Sequence, residues 1–548
     1  MNFKKIFSAI ASAAMLSACV GDLNTIPLNP TDVTSETAYG AEEQGYVQGL
    51  AKIYYQIVSV NTQDLQISDG GASEFIRAFW GTQEVTADAA KCAWGDAWVN
   101  DLNMNTWKGD VLNDNVYAVY VRTLQGVTYV NEYLRQTSNA NLDSRGCSAE
   151  VKAKVQEFRA EARFLRAFFY WAAMDTFGQV PFSTETTPFG GGYNPPQQPR
   201  EYIFNYIVNE LEDLASEGSA MPAAQSNYPR ADKGSVLGLL ARLYLNAKVY
   251  TGTAMFDKAK ATCEKIYGLG YALAPTHAEL FRGDNGENPD AKKEILFAAA
   301  YDSKETQSWG GTTYLTFAAM AEADVPKNIN GVATGWGGIR VPYAYVQKFF
   351  TDVKNPDYSA QWSIDAPGYE FTDKRSAYFF IQGRTEEMTE ETLNSFLSGW
   401  SCIKFNNTPH DMDPALFATA AASEEYSDID WPLIRLGEIH LIYAEACMHV
   451  GGDASAQLKG LAERAGVAAP SKVTEEWLMA ERARELMWEG HRRTDLIRYN
   501  KWISGYDWTF KGGSLTGKNL PEHFNLFPIP STELATNLDL EQNPGYAR

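Results

Sequence analysis

The sequence lacks the short motifs that mark the common catalytic and cofactor sites. It contains no HExxH zinc motif, no GxSxG nucleophile elbow, no GxxxxGK(S/T) phosphate loop and no GxGxxG dinucleotide loop. It has 6 histidines and 6 cysteines, and no CxxC pair. The cysteines after Cys19 are odd in number and far apart. This favours buried thiols over a zinc site or a dense disulfide framework, while one or two disulfides stay open.

Basic residues are also scarce. Lys plus Arg total 47 against 68 for Asp plus Glu, which gives a net charge of −21. A nucleic-acid partner requires clustered Lys and Arg, so this composition argues against one. The densest basic run, in residues 490–498, has acidic residues alongside it. We predict that this segment is a helix whose charges form i, i+4 pairs that tie it to its neighbours, through Arg482, Glu485, Glu489, Arg492, Arg493 and Asp495.

Long apolar runs are missing beyond the N-terminus. No later segment approaches the ~20 consecutive apolar residues of a membrane helix. The N-terminus itself has Lys4 and Lys5, a short apolar stretch over residues 6–16 and the ending Leu-Ser-Ala-Cys at Cys19. This is typical of an export signal and resembles the bacterial lipobox, with an ordinary signal peptide as the alternative. We predict a signal peptide over residues 1–18, a lipid-modified Cys19 and a polar tether over residues 19–35.

Helical periodicity dominates the rest of the chain. In residues 150–178, Phe158, Ala162, Leu165, Phe169 and Ala172 share one face at spacings of three and four. Several such segments form helix, turn, helix pairs with small residues at the crossings, which is typical of tetratricopeptide-like stacking, although no clean 34-residue period is present. We predict a mainly α fold in which a degenerate tetratricopeptide-like scaffold supports an irregular, loop-rich half.

Two regions, about residues 64–110 and 270–430, lose this periodicity and are rich in Gly, Asn and aromatic residues. The second region twice places a tryptophan before two glycines, at Trp309 and at Trp336. Glycine after the ring removes side-chain bulk and allows a sharp backbone turn, so the ring is free for a ligand. Flat C–H faces of sugars stack on such rings. The alternative is that both tryptophans are buried anchors of loop packing.

Six segments, in order along the chain, resemble the SusD/RagB family of outer-membrane nutrient-binding lipoproteins. They are the lipobox at Cys19 and residues 159–182, 229–252, 431–446, 481–502 and 527–546. The resemblance implies one domain over residues 36–548, with an N-terminal part over about 36–270 and a C-terminal part over about 271–548. It also implies a lipid-anchored protein on the cell surface, seated over the mouth of a SusC-like TonB-dependent transporter.

Within the family, the chain is most similar to the starch-binding member. That similarity implies an aromatic arc formed by Trp309, Trp336 and either Trp94 or Trp98, since the two tryptophans of "KCAWGDAW" are spaced differently from the family pattern. Arg77 matches a polar sugar-contacting position, and Asp96 stands where an amide is expected. The implied function is capture of starch or related α-glucan oligosaccharides and their delivery to the transporter. The alternative ligand is a different polysaccharide.

Two acidic segments suggest a cation site. The loop at residues 282–295 alternates oxygen-bearing side chains around a glycine, and residues 426–432 add an acidic pair. Such oxygen ligands suit calcium, and the same segments align with acidic positions of the starch-binding member. We predict one structural calcium held by Asp284, Asn288, Asp428 and Asp430. A solvated acidic turn is the alternative.

A secreted glycoside hydrolase is the competing functional class. It requires two carboxylates that face each other across a sugar site, and acidic residues are plentiful here. None of them stands in a recognised signature, so we predict a binding protein without catalytic residues or a catalytic cofactor. A purely structural or adhesive lipoprotein is a third class, and displayed tryptophans argue against it because exposed aromatic rings need a reason.

Overall fold

Helices form most of the regular structure, as the periodicity predicts. This computed structural model describes residues 35–548, apart from 61–64, 66, 68, 189, 191, 325–328, 333, 364–365 and 413–424. Cys19, the signal peptide and the tether up to residue 34 lie outside the described residues and stay predictions. The helices are α1 (Ser35–Tyr39), α2 (Glu43–Val58), α3 (Phe75–Trp80), α4 (Ala97–Met104), α5 (Asp114–Gln136), α6 (Asn139–Ser144), α7 (Ala149–Phe177), α8 (Arg200–Ala215), α9 (Lys233–Thr251), α10 (Phe256–Tyr267), α11 (Pro289–Glu294), α12 (Gly311–Phe317), α13 (Tyr343–Phe349), α14 (Leu436–Val450), α15 (Ser455–Ala465), α16 (Glu475–Glu485), α17 (Arg492–Arg498) and α18 (Ser531–Thr536).

Helix α7 lies at the centre of the helical half. The Ser148 side chain accepts a hydrogen bond from the N–H of Val151 at its start, and Gly178 follows its last residue with a φ of 74°. It packs against α5 and α8. Helix α9 packs on α8 and α10, and α10 packs in turn on α14. Phe164 and Phe168 on α7 are fully buried. Burial of such rings is the main stabilising contribution to a helical core.

Small residues lie where helices cross, as the sequence predicts. Gly126 of α5 faces Phe169 of α7, and a Cβ at Gly126 would lie 2.6 Å from the ring. Gly238 of α9 packs on a strand instead, and a Cβ there would lie 2.6 Å from the Ile434 side chain. The close approach of these backbones therefore depends on glycine. The mainly α, layered scaffold that the sequence predicts is confirmed.

The irregular half contains mostly short elements. Residues 64–110, which the sequence predicts to be irregular, nevertheless contain α3 and α4. The strands of the described chain are β1 (Lys91–Cys92), β2 (Val180–Pro181), β3 (Gln197–Gln198), β4 (Ile295–Ala299), β5 (Ile339–Arg340), β6 (Phe379–Phe380), β7 (Ser401–Cys402) and β8 (Trp431–Arg435). They form two-stranded antiparallel ladders in the pairs β1–β5, β2–β3, β4–β8 and β6–β7.

The charged segment near the C-terminus differs from its prediction. It is not one helix, because α16 ends at Glu485 and α17 begins at Arg492, with Trp488 between them in the left-handed region at φ 63°. The Trp488 ring is fully buried and packs edge-on against Trp80 at 5.4 Å. The predicted i, i+4 pairing is therefore wrong, since this turn directs the side chains to distant elements.

The charges of this segment do have the predicted structural role, through long-range ion pairs. Glu485 bonds to three arginines from other segments, Arg375, Arg435 and Arg464. Glu489 pairs with Arg435 as well. Removing one member of such a buried network leaves an uncompensated charge, which is strongly destabilising. The remaining pairs and bonds are Arg482 with Asp495, Arg492 with Asp88 and Arg493 with the Asn525 carbonyl.

The cysteines of the described chain, Cys92, Cys147, Cys263, Cys402 and Cys447, are buried free thiols, which confirms that prediction. Within the helices of the described ranges, none combines the length and the apolar composition that crossing a membrane requires.

Candidate functional site

A short ladder brings the two irregular regions together. Strand β1 pairs with β5 so that Lys91 lies opposite Arg340, and the N–H of Ala93 donates to the Gly338 carbonyl at 2.7 Å. Trp94 therefore lies against the turn that follows Trp336. A Cβ at Gly338, where φ is 127°, would lie 2.9 Å from the Trp94 ring, so glycine is required for this contact.

Trp309 and Trp336 lie side by side. Their ring centroids are 5.9 Å apart and their planes are inclined by 47°. Trp309 is 41% exposed, so the alternative of a buried packing anchor does not hold for it. Trp336 is half-buried and stacks one face on the buried Phe317 at 4.8 Å. The Trp336 ring is thus supported from below, while the Trp309 ring is open to solvent.

The glycines after Trp309 pack on a buried polar pair. A Cβ at Gly310 would lie 1.6 Å from Oε2 of Glu74, and one at Gly311 would lie 2.0 Å from the Tyr301 hydroxyl. The Tyr301 hydroxyl also donates to Oε1 of Glu74. Gly311 has a φ of 49°. Both glycines are therefore needed because the backbone runs directly over Glu74 and Tyr301, and the sequence carries no signal of this contact.

Glu74 itself has an unusual protonation equilibrium. It is fully buried, and burial raises its pKa to about 8, although hydrogen bonds from Tyr301 and Ser308 and the charges of Arg122 and Arg77 act in the opposite direction. At neutral pH the carboxyl group therefore retains its proton. A neutral group lies beneath the Trp309 turn.

Arg77 lies behind Trp94. Its guanidinium is 5.0 Å from the Trp94 ring centroid and 4.3 Å from that of Tyr314, within the range of cation–π attraction. Its Nη1 donates to Asp69 at 2.9 Å, and its side chain is only 4% exposed. Although burial opposes the effect, the Arg77 charge holds the pKa of Asp69 below its usual value. Arg77 thus supports Trp94, and its direct contact with a sugar stays a prediction.

Trp98 occupies a different position from Trp94. It belongs to α4, is half-buried against the core, and its carbonyl accepts a hydrogen bond from Nδ2 of Asn113 at 3.0 Å. Asp96 precedes α4 and its side chain is exposed. Of the two alternatives for the third ring, the geometry favours Trp94, because it contacts the Trp336 turn. Asp96 is placed where a ligand can reach it.

Two aromatic side chains that the sequence analysis does not single out lie beside this surface. The Tyr426 ring is 4.6 Å from that of Trp309. Phe396 is 42% exposed, and its Cδ1 would lie 2.5 Å from a Cβ at Gly337, where φ is 67°. Both residues come from polar, non-periodic segments, so no sequence pattern marks them.

The acidic residues predicted to bind calcium are engaged with protein donors. Oδ1 of Asp430 accepts from the N–H of Tyr301 at 2.9 Å and Oδ2 accepts from the Tyr228 hydroxyl at 2.7 Å. Burial raises the pKa of Asp430 to about 6. Oδ1 of Asp428 accepts from the N–H of Ser303 at 2.9 Å. Three of the four carboxylate oxygens of Asp428 and Asp430 thus accept hydrogen bonds from the protein, and each retains lone pairs.

The other two predicted ligands are also occupied. Oδ1 of Asn288 accepts from the N–H of Asp290 at 2.9 Å at the start of α11. Oδ1 of Asp284 accepts a hydrogen bond from the N–H of His410. Asp284, His410 and Asp411 each place one potential ligand atom within 4.8 Å of the other two. The calcium site shared by Asp284, Asn288, Asp428 and Asp430 stays a prediction.

Comparisons with known proteins identify the family of this chain. A family model described as the SusD family matches residues 293–546, and a second, described as starch-binding and associating with the outer membrane, matches residues 71–245. The chain is 32% identical to the starch-binding protein SusD of Bacteroides thetaiotaomicron, across 99% of both proteins. The chain belongs to the SusD family.

Solved structures of the SusD family share this fold. A SusD superfamily protein from Parabacteroides distasonis superposes with a TM-score of 0.68, covering 94% of this chain and 100% of its own, at 18% identity. Surface glycan-binding protein A from Bacteroides uniformis gives a TM-score of 0.66 at 18% identity, covering 92% of this chain and 99% of its own. At such identities the SusD-family likeness concerns the fold alone.

Proposed function

We propose that this chain is a cell-surface lipoprotein that captures starch or related α-glucan oligosaccharides on Trp309, Trp336 and Trp94. It passes them to a SusC-like TonB-dependent transporter and acts by binding alone. The named function of the 32% identical relative supports the choice of ligand.

The placement of Trp309 beside Trp336 carries this proposal. Two large rings at 5.9 Å with planes inclined by 47° form a curved apolar face, and Trp94 continues it across the Gly337-Gly338 turn. Sugars stack on aromatic faces, and few polar groups are needed to orient them. A curved array favours a chain that is already coiled in solution, because less conformational entropy is lost on binding. An α-glucan has that shape.

The polar groups near Trp94 bear on the charge of the ligand. Arg77, whose guanidinium lies against Trp94, is paired with Asp69, and the exposed Asp96 adds a negative charge two residues after Trp94. Carboxylates accept hydrogen bonds from sugar hydroxyls and repel anionic sugars. A neutral glycan therefore fits this surface. A different neutral polysaccharide is the alternative, since Asp96 stands where an amide is expected.

Calorimetry with maltoheptaose tests the proposal. Because stacking contributes roughly 0.5 to 1.5 kcal/mol beyond area burial, Trp309→Ala and Trp336→Ala should each weaken binding about tenfold. A β-glucan oligosaccharide and a uronic-acid oligosaccharide serve as comparison ligands. Tyr193→Ala is the matched control, since Tyr193 is 44% exposed in the loop between β2 and β3. Unchanged affinity in both folded tryptophan variants contradicts the proposal. Tighter binding of the β-glucan than of maltoheptaose would mean that the preferred ligand is not an α-glucan.

Two further measurements address catalysis and attachment. Prolonged incubation with maltoheptaose should leave the oligosaccharide intact, as chromatography would show, and any shortened product contradicts a pure binder. Cys19→Ala should release the protein from the membrane fraction, because stable anchoring requires acyl chains at that residue. If the variant remains as membrane-bound as the native chain, Cys19 is not the anchor.

A further inference from the structure

Phe396 is an exposed ring beside the proposed sugar-binding surface. A Cβ at Gly337, the residue directly after Trp336, would lie 2.5 Å from Cδ1 of Phe396. The neighbouring Asn394 approaches Gly95, the residue directly after Trp94. The loop at residues 393–398 therefore borders both tryptophans, and Phe396 is its exposed apolar side chain.

Arg340 holds this loop in place. It is 1% exposed, and its guanidinium donates to the carbonyl of Leu393 at 2.6 Å, to that of Ser398 at 3.1 Å, to the Ser398 hydroxyl at 2.8 Å and to the carbonyl of Ser395. In the described parts of the chain, no carboxylate pairs with Arg340. Burial lowers its pKa to about 9. Within the described ranges, this buried cation has no carboxylate partner, and its two terminal nitrogens donate to the loop, while its Nε has no hydrogen-bond partner.

A second arginine fixes Phe396 directly. Nη1 of Arg384 donates to the Phe396 carbonyl at 3.1 Å, and Nη2 of Arg384 pairs with the buried Asp324 at 2.6 Å. The loop is also bonded to the chain at Thr385, whose N–H donates to the Leu397 carbonyl at 3.0 Å. The ring is thus exposed while its backbone is held from several sides. A binding group that is already ordered loses little entropy when a ligand arrives.

We propose that Phe396 forms an additional stacking subsite, which takes one more sugar unit of a neutral oligosaccharide chain beyond those on Trp309, Trp336 and Trp94. This inference rests on the proposed function. The subsite matters only for a chain long enough to reach past Trp336, so Phe396 selects for chain length.

The test compares a short and a long ligand, maltotriose and maltoheptaose, by calorimetry. Phe396→Ala should weaken maltoheptaose binding about tenfold and maltotriose binding by about twofold or less, because one stacking contact is removed. Phe396→Trp should restore tight binding of the long ligand. Tyr193→Ala is again the control, and thermal unfolding followed by circular dichroism verifies the fold of each variant.

The outcomes separate this inference from the proposed function. If Trp336→Ala weakens both ligands but Phe396→Ala weakens neither, the added subsite is wrong and the glycan-binding proposal stands. An equal loss on both ligands places Phe396 within the three-ring surface and also overturns the added subsite. If neither ligand binds the native protein, the proposed function itself fails.

Discussion

The two Trp-Gly-Gly turns share three residues and differ in what their glycines contact. Gly310 and Gly311 face inward, against Glu74 and Tyr301. Gly337 and Gly338 instead lie against two rings that border the surface, Phe396 and Trp94. One turn is fitted to the core, and the other provides space for two rings of the proposed sugar-binding surface. An identical short motif can therefore pack against the core in one place and against surface rings in another.

The largest expected effect concerns Glu74, which lies beneath the first turn only. Its pKa rises from 4.5 to about 8 on folding, so the folded state loses stability as the pH increases from 4.5 to about 8. Glu74→Gln cannot ionise and avoids this loss. We expect the variant to match the native chain near pH 4.5 and to exceed its free energy of unfolding by a few kcal/mol, on the order of one per pKa unit, at pH 8.5.

Urea unfolding at several pH values measures this difference. Glu84→Gln is the matched control, since Glu84 is also fully buried away from the turn and burial raises its pKa to about 7. The gain from that variant should level off near pH 7 and the gain from Glu74→Gln near pH 8. A pH-independent difference for Glu74→Gln would show that the carboxyl group is already ionised in the folded protein.

Gly310→Ala should give the next largest effect. The new methyl group would lie 1.6 Å from Oε2 of the Glu74 carboxyl group, so the turn or Glu74 must shift. Overpacking of this kind costs about 1–3 kcal/mol, which urea unfolding at pH 7 can measure. Gly218→Ala is the control, because a Cβ there meets nothing within 4 Å. Equal stability of the two variants would mean that the first turn is not fitted to the core.

Gly338→Ala should act mainly on binding. Its Cβ would lie 2.9 Å from the Trp94 ring, which is half-buried and can move outward. We expect about tenfold weaker maltoheptaose binding by calorimetry, as for loss of one stacking ring, with a stability loss of about 1 kcal/mol from strain at a positive φ. If affinity is retained, the contact of Trp94 with this turn has no part in ligand binding.

Removal of calcium should have the smallest effect on stability, and we expect it to reach the first turn only. Asp430 bonds to Tyr301, which underlies Gly311, whereas the second turn has no such link to the acidic segments in the contacts described above. If Asp284, Asn288, Asp428 and Asp430 close on a calcium ion, chelation should lower the Tm by about 2 °C, because a ligand bound to the folded state stabilises it. If the Tm at pH 7 is the same with and without the chelator, the predicted calcium site is wrong.

The sequence predicts the features that repeat along the chain or match a family. Helix α7 was expected over residues 150–178 and spans Ala149–Phe177, since its apolar face recurs every three to four residues. Trp309 is exposed as its Gly-Gly context indicates. These signals are local, so they are visible without the fold.

Contacts between distant, non-periodic segments could not be predicted. Nothing in the residues around Glu74 indicates that Gly310 lies on its carboxylate, 236 positions later in the numbering. The Arg340 bonds to the Phe396 loop are equally unmarked. The acidic loops show a related limit, because their composition suggests a cation but gives no sign of the protein donors that bond to Asp428 and Asp430. Composition shows which groups are available, and only the fold shows their partners.

The ladder between β1 and β5 has a consequence for how the protein matures. It joins Lys91 to Arg340, so the surface requires closure of a long loop, and the entropy lost in closing a loop increases with its length. Neither segment alone holds the three tryptophans together. A chain in which these two segments have not yet paired therefore lacks the complete proposed sugar-binding surface, and ligand affinity should report whether the ladder has formed.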